Sequence, residues 1–79
     1  MNETTLRGYR QLSDGALLLL FQDAQAQRVR YLVDRASKRG RVRTRYDQWA
    51  GHYANVATHL AAVLEERGYT IRDGKAVQA

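Results

Sequence analysis

From Tyr46 onward, apolar side chains recur every three or four residues: Tyr46, Trp49, Tyr53, Val56, Leu60 and Val63. That spacing draws one stripe along an α-helix and predicts its burial against a neighbouring element. Asp47, Gly51, Ala54, Thr58, Ala61 and Glu65 fall on the opposite side. Thr44-Arg45-Tyr46-Asp47 is a variant of the capping box, which starts this helix at residue 44, and Gly68 ends it after Arg67. Upstream, Ser13-Asp14 reads as another helix start, with a hydroxyl at the cap and an acid where the helix dipole favours one. Nothing interrupts a helix from there to Ser37, and Gly40 is placed to terminate it in a left-handed conformation. Residues 13–37 and 44–67 therefore predict two helices, joined by a basic connection over 38–43 and folded back as an antiparallel hairpin.

The flanks follow different patterns. Residues 1–12 show no clear period and carry Gly8 in their middle, so they read as an irregular arm, a short strand or a helical turn. In the tail over 69–78, Asp73-Gly74 separates two short β-tolerant runs, a strong signal for a β-hairpin. A lone two-stranded hairpin is marginal in water and has to lean on the helices. The segment His59 to Val77, HLAAVLEERGYTIRDGKAV, also resembles the C-terminal tail of cysteinyl-tRNA synthetases. There a helix ends in glycine and an apolar–x–apolar strand meets an aspartate turn. The resemblance spans about a quarter of the chain and implies that local structure alone, with no activity carried over.

The first helix has a pattern that one partner helix cannot satisfy. Successive residues turn by about 100°, so Leu17, Leu18, Leu19 and Leu20 point four ways around it. A helix that is apolar all round is normally buried all round. The expectation is that Leu17, Leu18, Leu19, Leu20 and Phe21 meet a second surface: another protomer, the arm, the tail or a target protein. Two hairpins packed as a dimeric four-helix bundle are the most economical answer. The alternative is a compact monomer with arm and tail folded over this end.

Length and composition sharpen that expectation. Seventy-nine residues make a single small domain, whose own core is marginal. Such domains are usually supported by disulfides, a metal or a partner chain. The chain has no cysteine and only two histidines, so a homodimer is the support that remains, and no cofactor is expected. Proline is absent as well, consistent with a mainly α fold. The longest apolar run, Ala16 to Phe21, falls far short of the ~20 residues a membrane helix needs. The first residues carry an acid and no basic run ahead of an apolar stretch, unlike a secretory signal. A cytoplasmic location without membrane contact follows as an expectation.

Net charge is +5, and its distribution is more informative than its size. Between Arg28 and Arg45 stand eight bases and one acid, or +7; the rest of the chain has five bases and seven acids, or −2. Arg39, Arg41, Arg43 and Arg45 alternate, so in an extended connection they would form one row. Arg43 and Arg45 also stand at a helix start, where the dipole disfavours positive charge. Arg28, Tyr31 and Arg35 share a stripe of the first helix and offer forked donors beside a flat ring. Such a belt, with Lys38 included, suits nucleic-acid phosphates or an acidic protein surface. Its blander reading is a solvated basic cap, offset by Asp34, Asp47 or another protomer's acids.

Little in the chain points to catalysis. His52 and His59 lie seven residues apart, ~10 Å along a helix, too far to share a metal. There is no phosphate-binding glycine loop and no nucleophile elbow. The helices are too long for a helix-turn-helix unit, and the arm lacks the alternation of a DNA-reading ribbon. The sequence therefore reads as a non-enzymatic bacterial or phage regulator that contacts nucleic-acid phosphates with low sequence specificity. The alternative is a protein-binding adaptor or inhibitor that docks its leucine-rich end or its arginine belt on a partner protein.

Overall fold

The computed structural model describes residues 3–78 of the chain; of the arm, residues 1 and 2 lie outside the described residues. The fold is mainly helical. Helix α1 spans Glu3–Arg10, α2 Asp14–Asp34 and α3 Gly40–Glu66, and strands β1 (Tyr69–Arg72) and β2 (Lys75–Gln78) close the chain. The long pair α2 and α3 forms the expected hairpin, and a two-stranded antiparallel sheet follows it. No helix among the described residues is long and apolar enough to cross a membrane.

Helix α2 starts as its sequence predicts. The Ser13 hydroxyl accepts from the Ala16 backbone N–H at 3.2 Å, and Asp14 occupies the first turn. At the far end the helix tightens into a 3₁₀ turn over Arg35–Ser37, where the Ser37 hydroxyl donates to the Asp34 carbonyl at 3.0 Å.

Two boundaries need correction. The arm is helical over Glu3–Arg10 rather than irregular. Its Leu6 and Tyr9, with Leu12 beyond it, pack on the core, so tertiary burial sustains a helix that a weak local pattern conceals. Helix α3 starts at Gly40, four residues before the expected Thr44, and the connection over 38–43 is largely helical. Gly40 adopts φ +62°, which turns the chain, and the arginines that follow are good helix formers. Thr44 therefore lies inside the first turns and donates its hydroxyl to the Gly40 carbonyl at 3.3 Å instead of capping.

At the other end, Gly68 with φ +92° stops α3, and its N–H donates to the Glu65 carbonyl at 3.1 Å. Asp73 and Gly74 both have positive φ, the signature of a two-residue hairpin turn. The register pairs Tyr69 with Gln78 and Arg72 with Lys75. Tyr69, Ile71 and Ala76 face the helices, and Gln25 of α2 donates to the Gly74 carbonyl at 3.4 Å. The helix–glycine–strand–turn implied by the tail's resemblance is thus present.

The core is a narrow strip between the two long helices: Leu17, Phe21 and Ala24 of α2 against Ala57, Leu60, Val63 and Leu64 of α3. This corrects two expectations. The arm (Leu6, Tyr9, Leu12) and the tail (Tyr69, Ile71, Ala76) pack on this cluster, two of the second surfaces expected for it, so Leu17 and Phe21 are buried within one chain, whereas Leu19 is 69% exposed. Leu18 is half-buried against the same core, and Leu20 is exposed. On α3 the buried line runs through Ala50 and Ala57 rather than Trp49, so Ala54 and Ala61 border the seam instead of facing away. Fully burying a leucine or phenylalanine stabilises by about 1.5–3 kcal/mol, so these aliphatic contacts set the rotation of both helices.

Charged groups knit the tail end together. Arg10 of α1 binds Glu66 through two hydrogen bonds of 3.1 and 2.9 Å. Arg67 donates to Asp14 and to the Arg10 carbonyl, each at 2.7 Å, and the Tyr69 hydroxyl donates to Asp14 at 3.4 Å. The Arg10 side chain holds the Glu66 carboxyl below its ordinary value of 4.5.

Two outcomes are expected. Leu17→Ala should cost about 2–5 kcal/mol in a denaturant titration, against under about 1 kcal/mol for Leu20→Ala. A carboxylate with a lowered value contributes stability above its unfolded value and loses that contribution as pH falls through its folded one. The stability difference between the native chain and Glu66→Gln should accordingly shrink as the pH drops below 4.5, read from urea melts across an acid series.

Candidate functional site

The basic residues gather at the end of the hairpin opposite the tail, where α2 runs into the 3₁₀ turn and α3 begins. Four aromatic rings, not aliphatic side chains, close this end. Tyr31 of α2 stacks on Tyr53 of α3, with centroids 5.7 Å apart and planes 12° apart. It also meets Tyr46 edge-on at 5.6 Å and Trp49 at 5.2 Å. Such ring pairs add about 0.5–1.5 kcal/mol each beyond their burial, which locks the two helix ends. Beside them Arg35 forms an ion pair with Asp47, and the Lys38 ammonium lies 5.5 Å from the centre of the Tyr46 ring.

The expected belt residues divide into two groups. Tyr31 and Arg35 share a stripe as predicted, but that stripe faces α3: Tyr31 is half-buried and Arg35 is engaged by Asp47. They position this end rather than offer it to a partner. Arg28 lies further along α2 between two open hollows of about 270 and 360 Å³, which share Arg28 and Ala54 in their linings. The second hollow also borders Arg35 and Asp47.

Arg39, Arg41, Arg43 and Arg45 are exposed. They do not form the single row expected of an extended connection, because residues from Gly40 onward are helical. Arg41 and Arg45, four apart, share one side of α3, and Arg43 projects from another. Trp49 continues the side of Arg41 and Arg45 and is 42% exposed. The apolar stripe points Trp49 inward. The signal against that placement is the small Ala50 beside it, which the tight helix–helix seam selects instead.

Electrostatically the start of α3 is unusual. Arg39 precedes the helix without a side-chain cap, and no acid stands in the first turn. Three arginines follow within six residues at the positive end of the helix dipole. Of the acids near them, Asp47 is taken by Arg35, and Asp34 lies 4.0 Å from Arg30. Among the described residues, Arg28, Lys38, Arg39, Arg41, Arg43 and Arg45 have no ion-pair partner. At the opposite end, Arg10 and Arg67 both sit on carboxylates. A multivalent anion placed at this terminus would find unpaired guanidinium forks and the uncapped N–H groups of the first turn together.

The histidines stand apart from this arrangement. His52 meets the edge of Tyr53, and His59 donates from Nδ1 to the Asn55 carbonyl at 2.6 Å within its own helix. No group of three or more candidate metal ligands occurs among the described residues.

No protein-family model, curated protein or solved structure matches the chain. The tail's resemblance to cysteinyl-tRNA synthetases accordingly rests on its local helix–turn grammar alone.

If the arginines are held at this helix start against local preference, reversing one should improve the fold. Arg41→Glu is expected to raise stability by about 0.3–1 kcal/mol at low ionic strength, measured by denaturant titration, with the gain shrinking in high salt.

Proposed function

We propose that the chain is a small non-enzymatic binding protein, a cytoplasmic bacterial or phage regulator that grips nucleic-acid phosphates with its arginine-rich end. Arg28, Lys38, Arg39, Arg41, Arg43 and Arg45 supply the contacts. Tyr31, Arg35 and Asp47 hold the two helix ends in place beneath them. The observation that carries this reading is the set of exposed arginines without acidic partners around the uncapped start of α3. A protein gains nothing in stability from that arrangement, whereas phosphate binding draws on every part of it. Arginine rather than lysine supplies most of it, which suits forked contacts to phosphate oxygens.

The chemistry also sets the character of the binding. The sequence carries no recognised DNA-reading motif, so affinity is assigned to the phosphates and specificity stays low. Trp49 packs on Tyr31 and Tyr46 yet stays 42% exposed, so an unpaired base would extend this ring cluster, which favours single-stranded or locally opened nucleic acid. The protein works as a homodimer, with four long helices from two hairpins.

A second reading has one observation in its favour: Leu32, Val42 and Trp49 are exposed among the arginines. An adaptor that docks this mixed basic and apolar end on an acidic protein surface would use the same residues without nucleic acid.

Binding to mixed-sequence single- and double-stranded DNA and RNA, titrated across salt, decides between them. The nucleic-acid reading predicts binding that falls steeply with salt, with quenching of Trp49 fluorescence on single strands. Arg41→Glu/Arg43→Glu should weaken it and flatten the log–log salt slope by about 1 for each phosphate no longer gripped. Unchanged affinity in that double variant would falsify the phosphate-gripping role.

A further inference from the structure

The principal extents of the structure are 41 × 26 × 15 Å, with a radius of gyration of 13.8 Å against the ~12 Å of a compact chain of this length. The molecule is a slab little thicker than one helix, and its two long helices cover each other on one side only. Most of the large apolar side chains left exposed belong to α2: Leu19, Leu20, Val29, Leu32 and Val33. Leu20 and Leu32 lie to other sides of the helix, but the remaining three share one line. Leu19, Gln22, Ala26, Val29, Val33 and Ala36 are all exposed and step by three and four residues, the spacing of a coiled-coil seam. This seam lies roughly opposite Leu17, Ala24 and Tyr31, which face α3.

We infer that this outer seam of α2 is where two copies of the chain meet, with the two α2 helices antiparallel across a two-fold axis near Gln27 and Arg28. The inference rests on the dimeric reading above and specifies its surface and orientation. Three features select a second copy and this direction. First, the spacing of the seam repeats when reversed: Leu19 falls opposite Ala36 of the 3₁₀ turn and Val29 opposite Ala26, a larger side chain on a smaller one in each case, with Val33 opposite Gln22. Second, the charges that flank it on one side are Asp23, Arg30 and Asp34, the last already approached by Arg30 of its own helix. Reversal brings Asp23 of each chain beside Arg30 of the other, twice by symmetry, whereas a parallel alignment would set each charge at the height of its own copy. The Arg30 side chain is well exposed, and its 4.0 Å approach to Asp34 is loose enough to leave its other donors for this pairing. Third, antiparallel helices oppose their dipoles favourably.

The four long helices would then stand side by side in the order α3, α2, α2, α3, and the two arginine-rich ends would point to opposite ends of the dimer. Each strand of nucleic acid long enough to reach both would be held twice, which raises overall affinity without any new contact.

Sedimentation equilibrium without nucleic acid, at about 100 μM, tests the interface directly. The expected mass is twice the 9.0 kDa of one chain. Leu19→Glu/Val29→Glu should give a monomer with unchanged helical circular dichroism, since neither side chain belongs to the core. Asp23→Arg alone should weaken the dimer at least tenfold, and Asp23→Arg/Arg30→Asp should recover most of that loss. A native chain that stays monomeric overturns the dimer altogether. A dimer indifferent to Leu19→Glu/Val29→Glu, or a double charge reversal that recovers nothing, leaves the dimer standing and overturns this surface.

Discussion

The rotation of α2 about its own axis governs the rest of the molecule. Leu17, Phe21 and Ala24 are fixed against Ala57, Leu60 and Leu64, and with that contact made every other α2 side chain has a determined direction. Two turns further on, the same face carries Tyr31 and Arg35, which meet Tyr53 and Asp47. The seam thus changes character along its length, from aliphatic at the tail end to aromatic and ionic at the basic end. The opposite face, with Leu19, Val29 and Val33, is left without a neighbour by the same geometry.

Charge is divided along the same axis. At the tail end the carboxylates act structurally. Glu66 ties α1 to α3 through Arg10, and Asp14 joins α2 to Arg67 and Tyr69. Exposed pairs of this kind contribute modestly, and they neutralise Arg10 and Arg67 at that end. At the other end, Arg35 takes up Asp47, and the remaining arginines crowd the positive pole of α3. The fold tolerates the repulsion because those side chains project into solvent, where screening reduces it. What remains is a concentrated positive field on a rigid support, held by the four rings beneath it.

Much of the architecture is legible in the sequence, and the failures have physical reasons. Ser13-Asp14, Gly68 and Asp73-Gly74 mark their boundaries because capping and turn chemistry act locally. The start of α3 eludes that logic: Thr44 and Asp47 imitate a cap, while Gly40 and a run of helix-forming arginines extend the helix past it. Helix α1 is hidden because its stability comes from Leu6 and Tyr9 on a distant core rather than from its own pattern. The four leucines signal an over-apolar helix, but which of them face outward depends on a rotation that periodicity alone leaves undetermined. The basic segment is evident from charge counting. That Arg35 and Tyr31 serve as support, and that Trp49 is exposed, emerges only from the ring packing and the Asp47 ion pair.

The proposed working surface is the start of α3 with the turn before it. Backbone amide chemical shifts, recorded while a short mixed-sequence oligonucleotide is added at low salt, locate that surface residue by residue. The largest changes are expected to cluster at residues 38–49, with the indole N–H of Trp49 among them, while residues 57–64 and the β-hairpin stay nearly still. Changes centred on the hairpin tail, or none at all at concentrations where an arginine-rich surface should be saturated, would rule this surface out.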